Sequence, residues 1–232
     1  MRTLGIIPAR GGSKEVHRKN ARPLCGKPLI GYTAEVALAS ARLNRVVVST
    51  DDEGIASLAR RFSLDVPFMR PAELARDDTP MLPVVQHALT TLRDEGDSFD
   101  AVCLLQPTTP IRGGNEIDGC IRMLVESEAD AVVTVTPVPP EYNPHWVYIE
   151  EPGGGLRLAS GEWEPVSRRQ DLPEAFHRDG SVYVTRTEVV LGQNSLYGKK
   201  LLGYIVRDSK RVNIDTEDDW RRAERLLGCG DA

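Results

Sequence analysis

Thr3-Leu4-Gly5-Ile6-Ile7-Pro8-Ala9-Arg10-Gly11-Gly12-Ser13-Lys14-Glu15-Val16-His17-Arg18-Lys19-Asn20 is a short apolar run that breaks into a glycine-containing, cation-rich loop. Leu4, Ile6 and Ile7 suit a buried strand, and Pro8, which cannot donate to a ladder, limits its continuation. Gly11 and Gly12 let the backbone approach a ligand closely, while Arg10, Lys14, Arg18 and Lys19 supply positive charge. This order reads as a strand followed by a phosphate-binding loop. Backbone N–H groups of a glycine loop favour an anion, Arg grips phosphoryl oxygens as a fork, and Lys acts as a point charge. The competing reading is a solvated basic turn, which would be the better one for an arbitrary Gly-Gly-Ser-Lys. Neither Gly-x-x-x-x-Gly-Lys-Ser/Thr nor Gly-x-Gly-x-x-Gly occurs here, so two familiar phosphate loops are excluded.

Outward from this loop the chain alternates between two periods. Helical spacing runs from Leu29 to Ala39, Gly54 to Phe62, Leu82 to Leu92 and Ile117 to Val125. Arg45 to Thr50, Ala101 to Leu105, Ala131 to Val135, Ser181 to Val184 and Leu201 to Val206 read as strands, with a shorter one at Asp65 to Phe68. Asp52 is placed to cap the second helix, and Thr216 with Asp219 to cap a C-terminal helix ending at Leu227. Such alternation predicts an α/β fold with a doubly wound, mostly parallel sheet. Ligands of these sheets bind beyond the carboxyl ends of the strands, where Arg10, Asp51 and Gln106 all fall. Between 137 and 176 Pro137, Pro139, Pro140, Pro144 and Pro152, with Gly153-Gly154-Gly155, break the rhythm, marking an excursion from one domain spanning 1–232. Trp146 to Ile149 reads as a strand within it, and its apolar residues must cover something, either the same subunit or a partner.

Composition limits the function classes. With 232 residues, 41% of them hydrophobic, the chain holds a real core. A net charge of -5 argues against general nucleic-acid binding, since the cations are local to the first loop. No apolar run approaches a membrane span of ~20 residues, and none of signal-peptide type opens the chain, so a cytoplasmic protein is expected. Cys25, Cys103, Cys120 and Cys229 lack metal spacing and disulfide density, and reduced thiols are expected. His17, His87, His145 and His177 form no ligand pattern, and His87 on an apolar helix reads as structural.

Pro8 to Lys14 with Lys19-Asn20 closely resembles the signature of the acylneuraminate cytidylyltransferases, or CMP-sialic acid synthetases. The resemblance continues through Ser49-Thr50-Asp51-Asp52, Arg70 to Leu74, Leu105 to Pro110, Arg169 to Pro173 and Ile214 to Glu217, in the family's order. It implies a Rossmann-like nucleotidyltransferase fold, a dimer whose extension at 137–176 reaches the partner, and CMP transfer from CTP to a nine-carbon 2-keto sugar acid. It further implies catalytic roles for Arg10, Lys19 and Asp215. Nucleotide-binding roles fall on Ala9, Arg10, Gly11, Gly12, Ser13, Lys14, Asn20, Arg70, Thr79 and the Met81 position. Substrate-binding roles fall on Gln106, Arg169, His177, Arg178 and Tyr183, and Mg²⁺ is expected at Asp215 with Asn213.

The chain departs from the family pattern in four places. Met81 stands where relatives often carry Ser or Thr, and Glu15 and His17 replace a common Gly and Pro. His177-Arg178-Asp179-Gly180 replaces an arginine followed by Pro-Asn-Gly, which leaves legionaminate, pseudaminate or another 2-keto sugar acid open as acceptor. Asn213-Ile214-Asp215 replaces Asp-Ile-Asp; both side chains fall on one side of an extended segment, but Asn213 brings an amide oxygen without charge, so metal binding is expected to be weaker. The competing functions are a CMP-3-deoxy-manno-octulosonate synthetase and a catalytically silent nucleotide-binding module.

Overall fold

The computed structural model describes residues 1–12, 15–207 and 210–230. The predicted loop residues Ser13 and Lys14 lie outside these. In chain order the elements are β1 (Thr3–Pro8), β2 (Pro23–Leu24), β3 (Lys27–Pro28), α1 (Leu29–Leu38), β4 (Arg45–Ser49), α2 (Glu53–Arg61), α3 (Met81–Asp94), β5 (Ala101–Leu104) and α4 (Glu116–Val125). There follow β6 (Ala131–Pro137), β7 (Tyr148–Glu150), β8 (Leu156–Leu158), β9 (Phe176–Arg186), α5 (Thr187–Gly192), β10 (Leu201–Ile205) and α6 (Glu217–Leu227). A six-stranded sheet has the order β10-β6-β9-β5-β1-β4. β1 runs parallel to both β4 and β5, whereas β9 is antiparallel to β5.

The chain forms two compact units. The first holds Met1–Thr134, Asp179–Tyr204 and the described residues from 210 onward; the second holds Val135–Arg178 with a short stretch from Ile205. In the first unit both faces of the parallel strands are covered, which is why those strands read as continuous apolar runs. Ile7, Val48, Cys103, Val182 and Val184 pack with Ile30 and Ala34 of α1, Ile55 and Ala59 of α2, and Ile121 and Leu124 of α4. The opposite face of β1 and β5 lies against α3. Asp52 caps α2 by accepting from the Ile55 N–H at 2.8 Å, and Thr216 and Asp219 form a full capping box on α6. The shorter Asp keeps contact with the cap backbone, so Glu is not needed there.

Several expectations are corrected. Asp65 to Phe68 forms no strand; only isolated bridges, Val47 with Asp65 and Thr50 with Met69, join it to the sheet. Pro67 has no N–H to give to a ladder and interrupts it. The strand expected at Trp146 to Ile149 is Tyr148–Glu150, paired antiparallel with Leu156–Leu158. Cys25 and Cys229 are disulfide-bonded, with Cα atoms 5.6 Å apart, while Cys103 and Cys120 are free and buried. The fold brings the turn between β2 and β3 against the chain just beyond Gly228, the left-handed C-cap of α6. Closing so long a loop contributes about 5 kcal/mol in the chain-entropy account. Burial pushes the Cys103 thiol up to about 12 and Cys120 up as well, so both stay protonated.

Candidate active site

At the carboxyl ends of β1 and β5 lies a cavity of about 320 Å³ lined by Pro8, Arg10, Lys19, Asn20, Arg70, Met81, Gln106, Pro107, Thr108, Asn213 and Asp215. The opening loop and the segment before α6 therefore converge on one site, although about 200 residues separate Lys19 from Asp215.

Local packing sets this convergence. Val16 is fully buried with Leu24, Leu29, Val212, Ile214 and Trp220. Burying a valine stabilises by about 2 kcal/mol, enough to dock a polar loop against the C-terminal segment. Arg18 takes a left-handed backbone at φ 49°, and the Lys19 and Ala21 N–H groups bond the carbonyls of Val16 and Arg18 to close the turn. Lys19 Nζ then donates to the Ile214 carbonyl at 2.8 Å and lies 3.4 Å from the Asp215 carboxylate. Asn20 is buried and donates through Nδ2 to the Arg10 carbonyl at 3.0 Å, so it shapes the loop as well as lining it. Ala9 is fully buried and offers only its place beneath the loop.

The glycine loop differs from expectation in one respect. The Gly11 N–H donates to Asp51 at 3.0 Å, so a carboxylate of the protein already takes it. A Cβ at Gly11 would stand 2.7 Å from the Cβ of Asp52, so the residue is glycine because the loop presses on the start of α2. Arg10 is ion-paired with Asp77 of the segment before α3. Arg70 is nearly buried and donates to the Ser49 hydroxyl at 3.0 Å and to the Ser49 carbonyl. Burial holds its guanidinium down to about 10, opposed by Asp51 and reinforced by Arg10, and it remains a cation at neutral pH. Met81 lines the cavity, whereas Thr79 does not: its hydroxyl donates to the Glu73 carbonyl at 3.3 Å. The cavity wall at this point is thus a thioether and not a hydroxyl.

Gln106 projects from the turn that follows β5. Gly180, at φ +81°, sits beside it: a Cβ there would lie 3.2 Å from Thr109 Oγ1, 3.7 Å from Gln106 Oε1 and 3.9 Å from Asn213 Oδ1. Asn213 Nδ2 donates to Asp215 Oδ2 at 2.6 Å, which turns its oxygen toward Gly180. Tyr183 is buried in β9, edge-on to Tyr197, and is not among the lining residues. Arg169, His177 and Arg178 belong to the second unit. There Arg169 lines a cavity of about 200 Å³ with Asn143, Leu172 and Pro173, and His177 bonds the Thr136 hydroxyl at 2.9 Å.

As a cation site, the described lining offers one carboxylate, Asp215, and the amides of Asn20, Gln106 and Asn213. Among the described residues no three His, Cys, Asp or Glu side chains are grouped to hold a metal. Asp215 fits Mg²⁺ in the manner of nucleotide enzymes, where one or two protein oxygens share the ion with phosphates and waters; Asn213, whose Nδ2 donates to that carboxylate, would turn its amide over to add an oxygen. A dedicated protein cage is not what these residues make. Arg10, Lys19 and Arg70 face this one carboxylate, so the lining is net positive and suited to a polyanion.

Sequence reasoning missed a second layer. Arg211 is paired with Glu116, lies 3.3 Å from Asp179 Oδ2 and donates to Ser181 Oγ at 2.9 Å, all largely buried. In sequence these read as separate surface charges. Only the convergence of α4, β9 and the segment before Asn213 makes them a cluster.

A model of cytidylyltransferases matches residues 4–159. The chain is 31% identical to the CMP-N,N'-diacetyllegionaminic acid synthase of Legionella pneumophila, over 98% of this chain and 97% of that one. It is 30% identical to the pseudaminic acid cytidylyltransferase of Campylobacter jejuni, over 97% and 96%. It is also 30% identical to the N-acylneuraminate cytidylyltransferase of Escherichia coli, over 96% of this chain but 52% of that longer one. Among solved structures, a CMP:2-keto-3-deoxy-manno-octonic acid synthetase complexed with CTP superposes with a TM-score of 0.75 at 16% identity, covering 98% of both chains. At that identity the likeness is one of fold.

Proposed function

The chain belongs to the cytidylyltransferase family, and on that footing we propose that it transfers CMP from CTP to the anomeric hydroxyl of a nine-carbon 2-keto sugar acid, releasing pyrophosphate. The observation that carries this reading is the single cavity in which Arg10, Lys19 and Asp215 meet Gln106. The anomeric oxygen forms a bond to the α-phosphorus while the bond from that phosphorus to the bridging oxygen of pyrophosphate breaks. Little covalent chemistry falls to the protein, which must hold the two oxygens in line and neutralise charge moving onto the leaving group. Lys19 and Arg10 supply that positive charge. Gln106, with an amide that both donates and accepts, orients hydroxyls of the acceptor. The proton of the attacking hydroxyl leaves through water toward Asp215, the one carboxylate among the described lining residues. Mg²⁺, held by Asp215 and Asn213 together with the triphosphate, would add electrostatic stabilisation of that charge.

Pyrophosphate release from CTP, measured against a panel of 2-keto sugar acids, tests this. Turnover with legionaminate-, pseudaminate- or neuraminate-type acids is expected. Turnover with the eight-carbon acid alone would favour the octulosonate synthetase, and CTP binding without turnover the silent module.

The working unit is proposed to be a homodimer built on the second unit, which leaves Tyr142, Leu156 and Trp163 exposed, Trp163 by 96%. Apolar patches exposed on a soluble protein mark interaction sites, and these three side chains are the candidates for one. Light scattering should return twice the chain mass of 25.6 kDa, and a monomeric mass at micromolar concentration would refute the dimer. A cytoplasmic setting is proposed because the CTP donor is cytosolic. The exposed Cys25–Cys229 bond argues the other way, since the reducing cytosol keeps such pairs as thiols. No described helix is long and apolar enough to cross a membrane.

A further inference from the structure

Gln106 sits in a stretch between Leu104 and Glu116 that has neither helix nor strand, yet its amide must be held to a fraction of an ångström to orient an acceptor. Backbone bonds hold its neighbours: the Leu105 N–H reaches the Ile6 carbonyl at 2.9 Å, the Thr109 N–H reaches the Gln106 carbonyl at 3.3 Å, and the Ile214 N–H reaches the Thr108 carbonyl at 2.7 Å. The side chain that reaches the Gln106 carbonyl itself is that of Arg112. Arg112, 8% exposed, donates to the Gln106 carbonyl through Nη2, to the Ser181 carbonyl through Nε at 3.0 Å and to the Thr33 hydroxyl of α1 through Nη1 at 2.7 Å.

The choice of arginine here needs a reason beyond packing. Its hydrogen bonds go to two carbonyls and a hydroxyl, while Glu116 and Asp179 act on it only through space. Burying a cation in this way costs more than burying an apolar side chain of similar volume. What arginine provides instead is a rigid planar fork with donors at fixed angles. Two of its three anchors are the backbone of the Gln106 turn and of Ser181. Ser181 follows Gly180, whose left-handed backbone stands against Gln106, Thr109 and Asn213. Beyond the last β5–β9 pair, Leu104 with Tyr183, one guanidinium therefore ties together the two chain segments that meet beside Gln106.

We propose that Arg112 is a positioning residue for the acceptor: it fixes Gln106 relative to Gly180 and Asn213 and so governs recognition of the sugar acid, without itself touching either substrate. The proposal rests on the cytidylyl-transfer reading above. The nucleotide half of the cavity, built by Arg10, Lys19 and Arg70, receives none of the three Arg112 hydrogen bonds, so donor and acceptor binding should respond differently.

The test uses the full chain and the sugar acid that the wild type turns over. For Arg112→Gln, below its melting temperature and with native circular dichroism, KM for the acid should rise about tenfold or more. Its Kd for CTP, by calorimetry with Mg²⁺ and no acid, should stay within twofold of wild type. Arg112→Lys, which keeps the charge but loses the fork, should fall between. Thr33→Val, which removes only the anchor on α1, should lower the melting temperature and leave KM unchanged. A folded Arg112→Gln with unaltered KM, or with CTP affinity lost in the same proportion, overturns the proposal. If Arg112→Gln does not fold, Arg112→Lys decides by the same criterion, a rise in acid KM of threefold or more at constant CTP affinity. Absence of turnover by the wild type on every acid removes the functional reading and this proposal with it, an outcome distinct from an active wild type whose variants are unchanged.

Discussion

Lys19→Ala is expected to lower kcat/KM for CTP by about 10³-fold, the upper end of what losing one pre-organised donor costs. Three facts place it above its neighbours. Lys19 is the best shielded cation at the junction of the two segments, with a side chain 14% exposed. Two of its three ammonium donors are directed to the Ile214 carbonyl and to Asp215, leaving one for a phosphate. Its removal also leaves Asp215 facing the nucleotide with less counter-charge, which turns attraction into repulsion. Arg10 is the alternative candidate for the largest effect, yet it is engaged by Asp77 and must exchange that carboxylate for phosphate before it contributes. Loss of Arg10 is therefore partly offset by no longer having to break an ion pair. Lys19→Arg should retain more activity than Lys19→Ala, because charge survives while the compact geometry does not. Initial rates of pyrophosphate release over a CTP series check this, with thermal melting to confirm folding. A folded Lys19→Ala within threefold of wild type would remove Lys19 from the catalytic set.

Much of this site was legible because its chemistry is carried by short, contiguous patterns. A strand ending in Pro8-Ala9-Arg10, a basic turn and a carboxylate just ahead of a capped helix are local features, and Asp52 and Thr216 cap where expected. Continuous apolar runs such as Val46-Val47-Val48 announced strands covered on both faces. Strand direction was not legible: Ser181 to Val184 has the same apolar character as the parallel strands, but β9 runs antiparallel to β5. Nor was the Arg211, Glu116 and Asp179 cluster, or Arg112 beneath Gln106. Charged residues far apart in sequence look solvated, and their burial becomes visible only when distant elements bring partners together. The same reason hid the Cys25–Cys229 pair. Thr79 and Met81 show a finer limit, since two residues along the entry to α3 decide which side chain faces the cavity.

Asp215→Asn should lower kcat by about 10²–10³-fold, and Asn213→Asp should lower the Mg²⁺ midpoint of the CTP-bound enzyme about tenfold. The two effects follow from one charge count. Asp215 is the only carboxylate lining the cavity among the described residues, and Asn213 donates to it at 2.6 Å. Replacing that amide by a second carboxylate exchanges a hydrogen bond for a like-charge contact. Unit charges about 4 Å apart interact by roughly 1 kcal/mol in water and 4 kcal/mol near a protein surface. Without a cation, Asn213→Asp is therefore destabilised, and its melting temperature should fall. With Mg²⁺ the sign reverses, because a doubly charged ion between two carboxylates gains from each. After desolvation and competition from Lys19, a net gain of about 1.4 kcal/mol, or tenfold, is the size expected. Melting curves with and without Mg²⁺ read the first effect, and titration of Mn²⁺ as a paramagnetic probe reads the second independently of turnover. If Asn213→Asp and Asp215→Asn both leave the Mn²⁺ affinity of the CTP complex unchanged, the cation is held by the nucleotide alone, and Asp215 retains only its proposed part in receiving the acceptor's proton.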